Sequence, residues 1–267
     1  MNGDDKKLIK HTDHLVAFMV SIIRKWRVTQ ALRLGQYPAI RENGLAATGF
    51  DVCTDTLFYS VIHDLDALMF DEGRRTPSLR TSLQILDRPG VEARFRARFL
   101  SSAACDGGSQ TQDGSEFDNT MQRLRAEIPA VIDGGDATAC RRARDRYTAH
   151  FWLQDDGCDY KRLDLQHFGL SLDTPNRLIK RLRPRIDDLC LVTQRDAHAW
   201  DTYAQQSEQI SDELATELGG QAGFMPDIEE MKPQIEAIVR ELANRGREPG
   251  VSQQGNKAGI NIVRADD

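Results

Sequence analysis

An arginine and a histidine, six residues apart, are the side chains of this sequence best suited to chemistry. Arg144 is followed directly by Asp145, and four further residues separate this pair from His150, late in a polar stretch of helical character. Arginine binds phosphate through paired hydrogen bonds, and histidine transfers protons near neutral pH because its usual pKa is about 6.5. These groups suit metal-free cleavage of RNA, in which a base removes the 2′-hydroxyl proton and that oxygen attacks the adjacent phosphorus.

The geometry of a regular helix places the two residues on different faces. Arg144 and His150 are about 120° apart around the helix axis, whereas Arg146 shares a face with His150 and is a candidate second phosphate contact. Arg142 is a further phosphate-binding candidate in the same segment. A symmetric dimer that brings two copies of the segment together would supply the missing proximity. The alternative is structural: the arginines form a solvated helix face, and His150 is hydrogen-bonded beside Phe151.

A second group of basic residues lies further along the chain. It comprises Arg177, Lys180 and Arg181, followed by Arg183 and Arg185. Such a run either tracks the phosphates of an RNA backbone or forms the solvated face of a helix. Arg177, Lys180 and Arg181 are therefore candidate RNA-binding residues.

Composition indicates a soluble globular protein without a metal or cofactor. The chain has 267 residues, of which 40% are hydrophobic and 28% charged. Its formal net charge of −6 argues against a generally basic nucleic-acid coat but allows a local positive patch. The five cysteines are dispersed and none forms a Cys-x-x-Cys pair, which predicts reduced thiols and no zinc site.

Targeting features predict a cytoplasmic protein. The first six residues lack the positive-then-apolar order of a secretory signal. The most apolar early stretch, at residues 15–23, is too short to cross a bilayer. No membrane association is therefore expected.

Helical periodicity dominates the chain, and no strand alternation stands out. Leu15, Met19, Ile22 and Trp26, for example, recur at helical spacing in the first predicted helix. The predicted helices cover residues 12–34, 50–72, 76–86, 91–100, 117–132, 136–153, 174 to beyond 203, and 226–245. The fold class is therefore all-α: an antiparallel helical bundle with an appended C-terminal helix.

The predicted organisation is one main helical domain with a C-terminal extension. The domain covers residues 12–205 and contains a flexible loop near residues 101–115, which are rich in Ser, Gly and Gln. A helical extension follows at residues 206–245, and residues 246–267 have the composition of a disordered tail. Within the domain, His63, Asp64 and Asp66 interleave with core positions, so they are expected to be buried or capping polar groups rather than a ligand cluster.

The spacing of Arg144, Asp145 and His150 resembles the motif of HEPN ribonucleases, which are helical bundles with this motif on a late core helix. Four further features resemble the abortive-infection branch called AbiU. They are residues 55–64, then Asp71 with residues 76–79, the alanine at 149 directly before the histidine, and residues 173–178 leading to residues 186–189. The similarity covers about residues 15–203 and is one of pattern and order.

This resemblance implies a metal-independent endoribonuclease, often dimeric, used in phage defence or as the toxin of a toxin–antitoxin pair. By position, Arg144 would stabilise the scissile phosphate, Asp145 would orient the site and His150 would act as general acid or base. The implied partners are RNA, a second copy of the chain in a homodimer and, in a toxin–antitoxin setting, an antitoxin protein. Two alternatives stay open: a non-catalytic HEPN-like module that binds a protein partner or RNA, and a helical scaffold without a nucleic-acid role.

Overall fold

A bundle of α-helices with one short β-hairpin forms the described part of the chain. The structure, a computed structural model, describes residues 2–72, 76–105, 110–145, 153–155, 160–162, 165–194 and 200–218. Its α-helices are α1 (Gly3–Leu34), α2 (Pro38–Arg41), α3 (Gly44–Phe70), α4 (Leu79–Leu86), α5 (Val91–Cys105), α6 (Gln110–Ile132), α7 (Gly135–Ala143), α8 (Thr174–Gln194) and α9 (Trp200–Glu217). Between α7 and α8, antiparallel strands β1 (Leu153–Asp155) and β2 (Tyr160–Arg162) precede a short 3-10 helix (Gln166–Phe168). The all-α class predicted from periodicity is confirmed.

The longest helix, α1, is the element on which most of the others pack. Leu15, Met19 and Ile22 are fully buried, and Trp26 is nearly so. Their helical spacing gives α1 a continuous apolar stripe, which must be covered by neighbouring elements. Those neighbours are α3, α8 and α9, with further contacts to α4 and α5.

Helix α1 starts earlier than predicted because its first turn is capped and anchored. The helix begins at Gly3 rather than at residue 12. Asn2 and Asp5 form a capping box that satisfies backbone amides of the first turn. Asp5 also accepts hydrogen bonds from Arg94 of α5. These contacts stabilise the first turns of α1, whose polar composition gives little sign of a helix.

Helices α6 and α8 pack against each other, and each buries an apolar stripe. Eight apolar residues at helical spacing are no more than 1% exposed: Phe117, Met121, Leu124 and Ile128 on α6, and Leu178, Leu182, Ile186 and Leu189 on α8. Residues three or four positions apart share a helix face, so their burial removes one continuous stripe from water. α8 ends at Gln194, and Trp200 belongs to the separate helix α9 rather than to a continuation of α8.

Helix α3 lies in the main core only along its C-terminal part. Phe58 and Leu65 are fully buried there. Cys53, nearer the N-terminal end of α3, is exposed. The N-terminal part of α3 packs against α2 and joins a small separate apolar cluster around Tyr37.

Three other boundaries differ from the sequence-based prediction. α4 begins after Ser78, whose hydroxyl accepts a hydrogen bond from the third helical amide, rather than after Thr76. The loop predicted near residues 101–115 is wrong for most of its length, because α5 extends into it from one side and α6 from the other. Helices α5 and α6 pack against each other, so their formation does not depend on local helix propensity alone. The helix predicted to reach Leu153 is also wrong, because that residue begins β1.

All of the described elements lie in one compact unit. Helix α9 packs along α1 and runs across residue 205, the predicted end of the main domain. The predicted helix at 226–245 and the predicted tail at 246–267 lie outside the described residues, so this division stays a prediction. None of the described helices is both long enough and apolar enough to cross a membrane.

Candidate functional site

Helix α7 carries the start of the candidate site and packs against α3. Its buried side chains are all small: Ala137, Ala139, Cys140 and Ala143. Small side chains at a contact allow two helix axes to approach closely. A π-helical turn directly after Ala143 includes Arg144 and Asp145. Such turns recur at functional positions in helices, and here the turn follows the end of α7 where the predicted motif begins.

Arg144 is fastened to a buried carboxylate on α3. Its Nη1 atom donates a hydrogen bond to Oδ2 of Asp66, whose side chain is completely buried. The Arg144 side chain is 31% exposed, so its guanidinium lies between the core and solvent. A buried carboxylate without a partner is strongly unfavourable, and this contact supplies the partner. A residue of α3 therefore helps to fix the orientation of Arg144.

Asp145 binds the same guanidinium from the solvent side. The Nε and Nη2 atoms of Arg144 donate to Oδ1 of Asp145, at 3.1 and 2.9 Å. The Asp145 side chain is 56% exposed. Arg144 thus contacts two carboxylates, one in the core and one at the surface.

Arg141 contributes a second positive charge beside Asp66. Its Nε atom lies 3.9 Å from Oδ1 of Asp66, and its guanidinium carbon lies 3.5 Å from the centroid of the Phe70 ring. The second contact is a cation–π interaction. Asp66 and Phe70 are one helical turn apart on α3, so Arg141 docks on the same face of α3 as Arg144.

Burial changes the protonation chemistry of two groups at this interface. It raises the pKa of Asp66, while the positive charges of Arg144 and Arg141 oppose that rise. Burial also raises the pKa of the Cys140 thiol, and the nearby negative charges of Asp66 and Asp136 act in the same direction. Because the nucleophilic form of cysteine is the thiolate, Cys140 is not a candidate nucleophile.

Two of the predicted site residues lie outside the described residues. They are His150, the expected acid or base, and Arg146, the expected second phosphate contact. Arg142 is described, and its exposed side chain makes no hydrogen bond or ion pair with the part of the chain that the structure describes. Within that same part, no three His, Cys, Asp or Glu side chains are grouped so that they could hold a metal ion.

The basic run on α8 is partly occupied by contacts within the protein. Arg177 donates to both carboxylate oxygens of Asp136, with Nε–Oδ2 at 3.0 Å and Nη2–Oδ1 at 2.7 Å. Asp136 lies in the first turn of α7. Arg181 donates to the carbonyl oxygen of Ala130 at the end of α6. Lys180 is exposed and has no hydrogen bond or ion pair among the described residues.

The sequence alone does not reveal what Asp66 contacts, since it is expected there only as a buried or capping polar group. Its burial is confirmed. The signal present in the sequence is a carboxylate between the core residues Leu65 and Leu68, because a buried charge requires a partner. That partner, Arg144, lies 78 positions further along the chain and emerges only from the packing of α7 on α3.

Comparison with known protein families identifies the family of this chain. The HEPN family model described as AbiU2 matches residues 5–214. The chain belongs to the HEPN AbiU2 family. This membership confirms the resemblance inferred from the motif and its flanking segments, and makes the chain a HEPN module related to abortive infection. No curated protein and no solved structure matches the chain at a significant level.

Proposed function

We propose that this HEPN protein is a metal-independent endoribonuclease that acts in phage defence or as the toxin of a toxin–antitoxin pair. The observation that carries the proposal is the position of Arg144, whose guanidinium is anchored by buried Asp66 and still reaches the surface. A guanidinium held in one orientation binds phosphate with little further loss of conformational freedom. The family match, which spans the segment from Arg144 to His150, supports the same assignment.

In the proposed reaction, His150 is the acid or base that transfers protons, and Arg144 stabilises the negative charge on the phosphate. The histidine removes the proton from the ribose 2′-hydroxyl, and O2′ forms a bond to the adjacent phosphorus. The bond from phosphorus to O5′ of the next nucleotide breaks, and a proton is delivered to that oxygen. Arg144 stabilises the negative charge that develops on the phosphate oxygens. The products are a 2′,3′-cyclic phosphate and a 5′-hydroxyl end.

We propose a homodimer as the active form. One proton is removed from O2′ and another is delivered to O5′, and a symmetric second copy would bring a second His150 to the site. Arg142 and Arg146 are proposed as additional phosphate contacts, and the basic run on α8 as a contact for the RNA backbone. Lys180 is the strongest candidate in that run, because Arg177 and Arg181 already bind groups of the protein.

A second candidate function is a non-catalytic HEPN module that binds a protein partner or RNA. One observation favours it: Arg144 contacts two carboxylates, Asp66 and Asp145. A guanidinium balanced in this way serves a structural purpose by fastening the turn after α7 to α3. The two candidates differ in their dependence on His150, which only an enzyme requires.

RNA cleavage in the presence of EDTA tests the proposal. Wild-type protein is compared with His150→Ala and Arg144→Ala, and with two control variants at exposed residues of other helices, His14→Ala and Arg41→Ala. We expect cleavage by the wild type and both controls. Both site variants should lose about 100-fold or more in rate while keeping their helical circular dichroism.

Two other results would reject the ribonuclease. Cleavage that neither site substitution affects would indicate a contaminant or a different site. If the wild type fails to cleave diverse RNAs and RNA binding persists in His150→Ala, the binding module is the correct function.

A further inference from the structure

The two carboxylates that contact Arg144 differ in their exposure to solvent. Asp66 is completely buried, whereas Asp145 is largely exposed. Asp66 accepts its hydrogen bond from Nη1, and Asp145 accepts from Nε and Nη2. The guanidinium therefore presents one donor to the core and its Nε–Nη2 edge to an exposed side chain.

The Nε–Nη2 edge of Arg144 has the geometry that recognises phosphate. Both donors converge on the same atom, Oδ1 of Asp145, at 3.1 and 2.9 Å. A phosphodiester has two non-bridging oxygens and can accept one hydrogen bond from each donor in parallel. This edge is therefore better matched to a phosphodiester than to the Oδ1 atom of Asp145, on which both donors converge.

The contact with Asp145 is also the easier of the two to exchange. An ion pair with this much exposure contributes little free energy, because water screens its charges. Breaking the contact with Asp66 would instead leave a buried charge without its main partner, which is strongly unfavourable. An incoming anion is thus expected to replace Asp145 while Asp66 keeps the guanidinium in place.

We propose that Asp145 is an exchangeable occupant of the Nε–Nη2 edge of Arg144 and that, in the free protein, it competes with an RNA phosphodiester for this edge. The inference rests on the proposed function, in which Arg144 binds the phosphate of the RNA backbone. Asp145 lowers the affinity for RNA in two ways: it occupies the donors, and its negative charge repels the phosphate. This role differs from the orienting role that the family resemblance implies for Asp145.

Binding of a fluorescent 2′-O-methyl oligoribonucleotide tests this inference. The probe carries phosphodiesters but has no free 2′-hydroxyl, so binding is measured without cleavage. Kd is determined by fluorescence anisotropy for the wild type, Asp145→Asn, Arg144→Ala and the double variant. We expect Asp145→Asn to lower Kd about 2- to 5-fold, and this gain to disappear when Arg144 is also replaced.

Asp118→Asn is the matched control for the loss of one negative charge. The Asp118 side chain is 53% exposed and accepts hydrogen bonds from Nε and Nη2 of Arg96, at 2.8 and 3.0 Å. It therefore resembles Asp145 in exposure and in the donors that it occupies, but it lies on α6. Equal tightening in both variants would show that net charge alone accounts for the effect and would overturn the inference.

The remaining outcomes separate this inference from the proposed function. The inference is wrong if Asp145→Asn binds no more tightly than the wild type, or if neither protein binds the probe. Cleavage of unmodified RNA by the wild type is measured in parallel. Cleavage without tighter binding by Asp145→Asn rejects the competition and retains the ribonuclease. Tighter binding that depends on Arg144, without cleavage, supports the competition and rejects the ribonuclease.

Discussion

Asp66 and Arg144 form a hydrogen-bonded ion pair between α3 and the turn that follows α7. The Oδ1 atom of Asp66 is buried and has no hydrogen-bond partner among the described residues, although Arg141 lies 3.9 Å from it. The charge of Asp66 therefore depends on two arginines from one short helical segment. Because Arg144 is also the proposed phosphate ligand, the same contact links the stability of the fold to the proposed activity.

Removing Arg144 should make stability depend more strongly on pH. Burial raises the pKa of Asp66, and without Arg144 the pKa rises further. The folded state then holds a proton that the unfolded state releases near pH 4, so stability falls as pH increases above that value. We expect Arg144→Ala to be about 1–3 kcal/mol less stable than the wild type at pH 8, and less affected at pH 5. Urea unfolding at the two pH values measures this difference.

The double variant Asp66→Asn/Arg144→Ala is the control for that experiment. It removes the carboxylate that titrates, so the additional pH dependence should disappear even if the variant is less stable overall. Parallel pH profiles for the wild type and Arg144→Ala would contradict the buried ion pair.

Asp5 should have the opposite pH dependence. Hydrogen bonding from Arg94 holds the pKa of Asp5 below its usual value of 3.8. Its stabilisation is therefore complete above about pH 4 and is lost as the pH falls through the lowered folded-state pKa. Asp5→Asn should lower Tm at pH 7 by about 2–4 °C and flatten the acid limb of the stability profile. Tm is measured from pH 2 to 7, and Asp13→Asn, at an exposed residue of α1, is the control. Equal changes in Tm for the two variants across this pH range would disprove the prediction.

Three cysteines, Cys53, Cys140 and Cys190, should differ sharply in reactivity. Cys53 is exposed, whereas Cys140 and Cys190 are buried. Burial also raises the pKa of the Cys140 thiol, which further reduces the thiolate available for reaction. With iodoacetamide at pH 7.5, Cys53 should be modified at least about tenfold faster than the other two. Peptide mass spectrometry gives each rate, and equal rates in the native protein would argue against the packing of α7 and α8.

On α8, replacement of Arg177 should mainly reduce stability, whereas replacement of Lys180 should mainly weaken RNA binding. Arg177 joins α8 to Asp136 on α7, so Arg177→Ala should lower the free energy of unfolding by about 0.5–1 kcal/mol. Lys180→Ala should change stability by less than about 0.5 kcal/mol, since its side chain is exposed. If RNA follows α8, Lys180→Ala should weaken binding more than Arg177→Ala, because two carboxylates already balance Arg177. Urea unfolding and fluorescence anisotropy are measured for both variants. A larger loss of stability in Lys180→Ala, or a larger loss of RNA affinity in Arg177→Ala, would refute the prediction.

Local pattern was sufficient for the fold class and for most of the core. The spacing of Leu15, Phe117 and Leu178 with their neighbours identified α1, α6 and α8, because one apolar stripe per helix is a property of adjacent turns. Local sequence was also sufficient to indicate the family, because the types and spacing of Arg144 and Asp145 and the residues around them resemble its motif. The family match confirms this prediction. The ends of the helices are harder to predict from the sequence. The first turn of α1, for example, also depends on contact with Arg94 of α5.

The electrostatic arrangement of the site arose only when distant segments packed together. Nothing near Asp66 in the sequence indicates that its charge is balanced by Arg144 and Arg141, or that Asp145 stays at the surface on the other side of the same guanidinium. Likewise, the pairing of Arg177 with Asp136 cannot be read from the basic run itself. The strength of a charge interaction depends on burial and on the distance between partners, and both are set by the contacts of α3, α7 and α8 rather than by residue type.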